Sequence, residues 1–164
     1  MPGEEEQATY MWKRILETNN SAAQLLVRVA LGVVIFPHGA QKAFGWFEGP
    51  GFGQTIQTFA KMGFPAWSTA ILIVIELIGS VCLVAGFLTR IWALSITASM
   101  SICMFMYHVQ NGFFMNWFGR QAGEGFEYHI LVIGIALSLV VTGSGRLSLD
   151  GYLAAWIRRF SHNS

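Results

Sequence analysis

Four apolar stretches dominate this chain, each close to the roughly 20 helical residues needed to cross a hydrocarbon core of about 30 Å. They run from about Ser21 to Phe44, Ala66 to Leu88, Ile91 to Gln110 and Glu127 to Thr142. In lipid the backbone has no water to bond, so an open strand would leave its N–H and C=O groups unpaired; each stretch is therefore expected to be a helix. Asn19, Asn20 and Ser21 offer caps at the start of the first span, Pro37 is placed to kink its last third, and Gly143-Ser144-Gly145 stops the fourth. The expected fold is an all-α integral membrane protein, a four-transmembrane-helix bundle with short interfacial helices.

Composition agrees. The 164 residues are 54% hydrophobic and 12% charged, against roughly 25% charged in a soluble domain. A net charge of +1 gives no footprint for nucleic acid. The chain divides into a cytoplasmic segment (1–20), a transmembrane domain (21–145) and a cytoplasmic amphipathic tail (146–164). With both termini inside, Lys13, Arg14, Arg90, Arg146, Arg158 and Arg159 face the cytoplasm, while Lys42, Lys61 and Arg120 lie outside; six against three supports that orientation. The expected location is a bacterial or archaeal plasma (inner) membrane, crossed several times.

Smaller features complete the plan. Pro50 can open a short surface helix with Phe52, Ile56, Phe59 and Gly63 on one face. In the tail, Asp150 is a candidate N-cap before Leu153, Trp156, Ile157 and Phe160, which share a face. Met11, Trp12, Ile15 and Leu16 suit the interface in the same way, whereas Glu4-Glu5-Glu6 suits a solvated end. No apolar region precedes a small-residue cleavage site near the N-terminus, so the first span is expected to be retained. A faint repeat is visible: spans one and three each end near a His followed by an aromatic loop, and spans two and four each end in Gly followed by Arg. Cys82 and Cys103 form no C-x-x-C pair and are expected to be small buried hydrophobes.

The ionisable groups inside the spans carry the functional signal, because a charge at the bilayer centre costs about 2.5–3.5 kcal/mol on insertion scales. Arg28, His38 and Lys42 fall within an arc of about 80° on a regular helix. Thr97, Ser101, Met104, His108 and Asn111 share a face of span three. By depth, Arg28 and Glu76 are separated by about 5 to 8 Å along the bundle axis, so they are expected to form a buried ion pair. His38, Lys42, His108, Glu127 and His129 all come to similar depth near the outer surface. They could bind the polar head of a lipid-soluble ligand or relay protons; ordinary interfacial polarity is the alternative. Three histidines in such a bundle also admit a bis-His haem. No Ser-His-Asp order, phosphate loop or zinc-ligand spacing is present, so no metal site is expected.

At these residues the chain resembles the DoxX family, from about Ala23 to Gly151. The resemblance rests on Arg28 with Leu31-Gly32, His38-Gly39-Ala40-Gln41-Lys42, Glu76, Gly86-Phe87-Leu88-Thr89-Arg90, Gly112-Phe113-Phe114, Glu127 and the ending from Gly143 to Asp150. Ile78-Gly79-Ser80 departs from the Gly pair common after the span-two glutamate. The family's relatives include the DoxD-type subunit of thiosulfate:quinone oxidoreductase, and the resemblance implies a four-helix membrane protein linked to quinone chemistry. It suggests an oxidoreductase subunit that binds a quinone head group near the outer leaflet. His38, Glu127 and His108 would handle protons, Lys42 and His129 would bind the head group, and Phe113 and Trp117 would cover it with Phe114. Nothing here suits a flavin, a nicotinamide or an iron–sulfur cluster, so electrons would come from a soluble or membrane partner subunit. Self-association is left open. A non-catalytic anchor or small-solute transport module is the alternative.

Overall fold

The computed structural model describes residues 10–12 and 14–161; Lys13, the Glu4-Glu5-Glu6 run and the Phe160 side chain lie outside the described residues. Among the described residues all regular structure is helical. Helix α1 spans Ala22–Phe44, α2 Gly51–Lys61, α3 Ala66–Ala85, α4 Thr89–Cys103, α5 Glu127–Thr142 and α6 Leu149–Ser161. The α4 rod continues through a π turn, Met104–His108, and a 3₁₀ turn, Val109–Asn111. Residues 10–12 and 14–16 are also helical.

Among the described residues, three helices are long and apolar enough to cross a membrane: α1, α3 and the α4 rod out to Asn111. The fourth, α5, is apolar over 16 residues, about 24 Å at 1.5 Å per residue, and falls short of a full span by itself. Helix α1 packs chiefly on α3 and α4 chiefly on α5; the two pairs join through α3–α4 and α1–α5 contacts. The four therefore close a ring.

The distribution of residue types is inverted relative to a soluble bundle. Leu26, Val33, Ile71, Val81, Leu94, Phe105, Leu131 and Val141 are exposed, while Arg28, Glu76, Ser80, Thr89 and His129 are buried. Water would not tolerate so continuous an apolar exterior, whereas lipid does, so the outer face contacts the bilayer. Inside, Leu31, Ile35, Leu83, Ala93, Ile96, Val132, Ala136 and Leu139 form the apolar core. Close approach of α1 to α3 depends on small residues: a Cβ on Gly39 would meet the Leu77 nitrogen at 2.5 Å and the Glu76 carbonyl carbon at 2.7 Å. Such contacts replace the hydrophobic force that lipid does not supply.

One end of the bundle, where α1 begins and α3 ends, is held by side chains that satisfy orphan helix termini. Arg28, 1% exposed, donates to the carbonyls of Ser144 (2.9 Å), Leu83 (2.9 Å), Leu147 (2.6 Å), Arg146 (3.4 Å) and Val84. Leu83 and Val84 sit in the last turn of α3, whose dipole favours a cation, and the Leu83 carbonyl also accepts from the capping Gly86 N–H at 3.0 Å. Arg90 does the same for α5, donating to Val140 and to Val141 (2.8 Å), and ties in Glu17 (3.0 Å). Each helix pair is thus closed by an arginine from its first member.

Asp150 departs from its expected role. Its carboxylate accepts from the backbone N–H of Leu88 (2.7 Å) and Thr89 (3.0 Å), so it caps α4, not its own helix. Ser148 supplies the cap for α6, accepting from Gly151 N–H at 3.2 Å. Gly86 makes this crossing point possible. It takes a left-handed conformation (φ 68°), and a Cβ there would lie 2.5 Å from Ser148 Cβ and 3.0 Å from Arg28 Cζ. Thr18 Oγ1 accepts from Gly145 N–H at 2.6 Å, and Leu16 is buried. Residues at both ends of the chain, assigned above to separate flanking segments, therefore close the bundle itself.

Candidate functional site

The opposite end gathers the titratable groups. Helix α1 delivers His38 and Lys42, α3 delivers Glu76, the π turn delivers Tyr107 and His108 with Cys103 just before it, and α5 begins with Glu127, Tyr128 and His129. Four of the five residues expected at one depth converge, and Glu76 joins them.

The expected Arg28–Glu76 pair does not form. Lys42 Nζ lies 2.6 Å from Glu76 Oε2, and that carboxylate is almost fully buried. Arg28 is drawn instead to the last turn of α3, about seven residues or 10 Å from Glu76. Depth alone allowed an arginine to bridge the gap, but the orphan carbonyls of α3 and of 144–147 claim every donor edge of the guanidinium. Lys42, on a flexible stem, reaches inward to the acid that is left; its ammonium also lies 3.5 Å from its own helix at the His38 carbonyl.

Around the pair lies a band of rings. His38 is exposed on the outside of the bundle, with its ring centroid 6.3 Å from Tyr128. Tyr128 and His129 are 5.8 Å apart, and His129 and His108 only 4.1 Å. The Lys42 and Glu76 charges are near enough to act electrostatically on His38 and on Cys103. Several polar atoms here are buried without a protein partner among the described residues: the Tyr107 and Tyr128 hydroxyls and His129 Nδ1. Buried polar groups are rarely left so.

The π turn explains how α4 contributes. In a regular α-helix, residues five apart point about 140° away from each other. The Val109 N–H donates to the Met104 carbonyl, the i→i+5 bond of a π turn, and this widened turn swings Cys103 and His108 towards one side. Sequence spacing alone cannot show it. The assumed continuation of the Thr97–Asn111 stripe on a regular helix therefore ends at Cys103, and Thr97 and Ser101 spend their hydroxyls on Ala93 and Thr97 carbonyls.

Glu127 and the loop aromatics stand apart from the histidines. Glu127 Oε1 accepts from Met115 N–H at 3.1 Å and Trp117 Nε1 at 3.4 Å, holding the loop between α4 and α5. Phe113 packs edge-on against Phe114 and Phe126. Trp117, 79% exposed, and Phe114 and Phe118 face outward. With exposed Phe44, Trp46 and Phe47 at the same end, they form an aromatic collar of the kind that anchors proteins at a membrane interface. Glu76 and Tyr128, which the outer-level grouping omitted, take the inner positions.

Fold and site together define a polytopic helical membrane protein with an ion pair and a histidine–tyrosine cluster enclosed at one end. The chain belongs to the DoxX family, whose model matches residues 23–109. It is 33% identical over 129 residues to "Putative oxidoreductase CatD" of Bacillus subtilis, covering 79% of this chain and 85% of that one. It is 28% identical over 109 residues to "Inner membrane protein YqjF" of Escherichia coli, covering 66% and 79%. No solved structure matches.

Proposed function

We infer that this protein is the membrane subunit of a quinone-linked oxidoreductase, holding a quinone head group at the Lys42–Glu76 end with electrons supplied by a partner subunit. The observation that carries this is the buried Lys42–Glu76 pair beside exposed His38 and the unpartnered Tyr128 hydroxyl. The residues suit the group. A quinone needs an apolar approach for its tail and, at its carbonyls, donors able to exchange protons; bound here, it would supply two-electron chemistry. Lys42 and Tyr128 can donate hydrogen bonds to an oxygen, and His38, exposed to the lipid side, can carry a proton between that oxygen and the surface. His108 and His129 line the wall beyond Tyr128. The name of the Bacillus subtilis relative supports redox chemistry in the family.

The wild type, purified in mild detergent, is expected to retain quinone, and His38→Phe at matched folded yield to retain at least several-fold less. Equal retention, or none in the wild type beside a co-purifying partner, would favour a non-catalytic anchor.

The lysine and arginine count supports cytoplasmic termini and a site near the outer leaflet of the plasma membrane. A reporter fused after Phe114 should accordingly read the outer face; a cytoplasmic reading would invert the orientation.

A further inference from the structure

Cys103, His108 and His129 each offer one ligand atom, and these atoms all lie within 4.8 Å of one another. Two features show that this is more than a crowded corner. His108 Nδ1 is 2.9 Å from the Glu124 carbonyl. A carbonyl can only accept, so Nδ1 carries the hydrogen and Nε2 keeps its lone pair free. An imidazole that donates one N–H to a carbonyl while offering its other nitrogen is the usual arrangement of a metal-binding histidine. Independently, His129 is 6% exposed and its Nδ1 has no partner among the described residues. Two imidazoles at 4.1 Å with no hydrogen bond between them are poorly provided for by the protein alone. The π turn is the backbone irregularity that brings the thiol and His108 to the same side.

We propose that Cys103, His108 and His129 form a mononuclear site for a soft, thiophilic metal ion, with Cu⁺ the matching charge. One thiolate and two neutral imidazoles select late, soft metals over oxygen-seeking ones. Three ligands with one thiolate make a neutral complex with Cu⁺ but leave a net positive charge with Zn²⁺. In a bundle interior, where an uncompensated charge is costly, neutrality decides between them. Lys42 and Glu76 compensate each other and leave no spare anion for a divalent ion. His108 and His129 also line the wall of the proposed quinone site, whereas His38, Lys42 and Tyr128 are outside the metal's ligand set.

The test uses the full-length protein in detergent, titrated without oxygen with Cu⁺ held by a chromogenic competing chelator, and in parallel with Zn²⁺. One Cu⁺ per chain is expected, with X-ray absorption showing one sulfur and two imidazole nitrogens. Cys103→Ser and His108→Gln should each weaken Cu⁺ binding by at least about tenfold, the lower range seen even for outer-shell changes. Should either variant fold poorly, the wild type still answers: Cu⁺ should protect Cys103 from alkylation by a membrane-permeant maleimide while Cys82 remains unprotected. Absence of stoichiometric Cu⁺ uptake, unchanged uptake in both folded variants, unprotected Cys103, or tighter binding of Zn²⁺ than of Cu⁺ would overturn the proposal. His38→Phe should leave Cu⁺ uptake unchanged, so loss of quinone retention and loss of metal binding are separately readable.

Discussion

Arg28→Met is expected to remove most of the folded protein, with a loss upward of about 4 kcal/mol, in the range reserved for broken buried networks. The guanidinium donates to carbonyls of five residues from two segments distant in sequence. Hydrogen bonds to a charged group contribute about 1.5–3 kcal/mol each, and a buried acceptor left bare costs about 1–3 kcal/mol. Not all of these add, because the acceptors are neighbours that share one guanidinium and Leu83 keeps its bond from Gly86 N–H. Even two unsatisfied acceptors would be a large part of a typical total stability of about 5–15 kcal/mol. Arg28→Lys should recover only part: an ammonium is a compact point donor and cannot span from Leu83 to Ser144 and Leu147 as a planar fork does. Folded yield and the thermal midpoint in detergent check this. A near-normal midpoint for Arg28→Met would show that water or lipid headgroups satisfy those carbonyls and that the arginine is not the fastener of this end.

Lys42 and Glu76 should show strong and asymmetric coupling. Breaking a buried ion pair by removing one partner costs about 3–5 kcal/mol. Lys42→Met should lie at the upper part of that range, because the Glu76 carboxylate, 3% exposed on α3, has nowhere to go and is left buried without its partner. Glu76→Gln should cost less, since Lys42 stands two residues from the end of α1 and can turn its ammonium towards the surface. The double variant Lys42→Met/Glu76→Leu should regain much of the lost stability, as apolar replacements of buried pairs usually do. If the pair also serves the ligand, that restored double variant should still fail to retain quinone. Additive losses in the double variant would show that the two residues are not energetically coupled.

How much of this could be read from residues alone follows physical lines. The spans were legible because lipid leaves a helix as the one way to satisfy an unbroken backbone, and the starts at Ala22, Ala66 and Glu127 agree with the expected ones. Convergence of His38, Lys42, His108 and His129 was legible too, since rise per residue fixes depth. Depth does not fix partners. Glu76 could be bridged from either side, and the choice was made by the orphan carbonyls of α3 and the 144–147 turn, which became neighbours of Arg28 only after folding. Glu127 turned to the N–H groups of its own loop. Cys103 was hidden by the π turn, which breaks the 100° periodicity on which any facing argument rests. Asp150 lies in the first turn of its own helix, yet it caps α4 because Gly86 allows that crossing.

The site assignment is tested most directly by labelling the protein in native membranes with a photoreactive quinone and mapping the modified residues by mass spectrometry. Labels should concentrate on the peptides carrying His38, Tyr107–His108 and Tyr128–His129, and an excess of unlabelled quinone should suppress them. Labels spread over lipid-facing side chains such as Leu26, Val81 and Leu131, unaffected by competitor, would contradict a quinone site at the Lys42–Glu76 end.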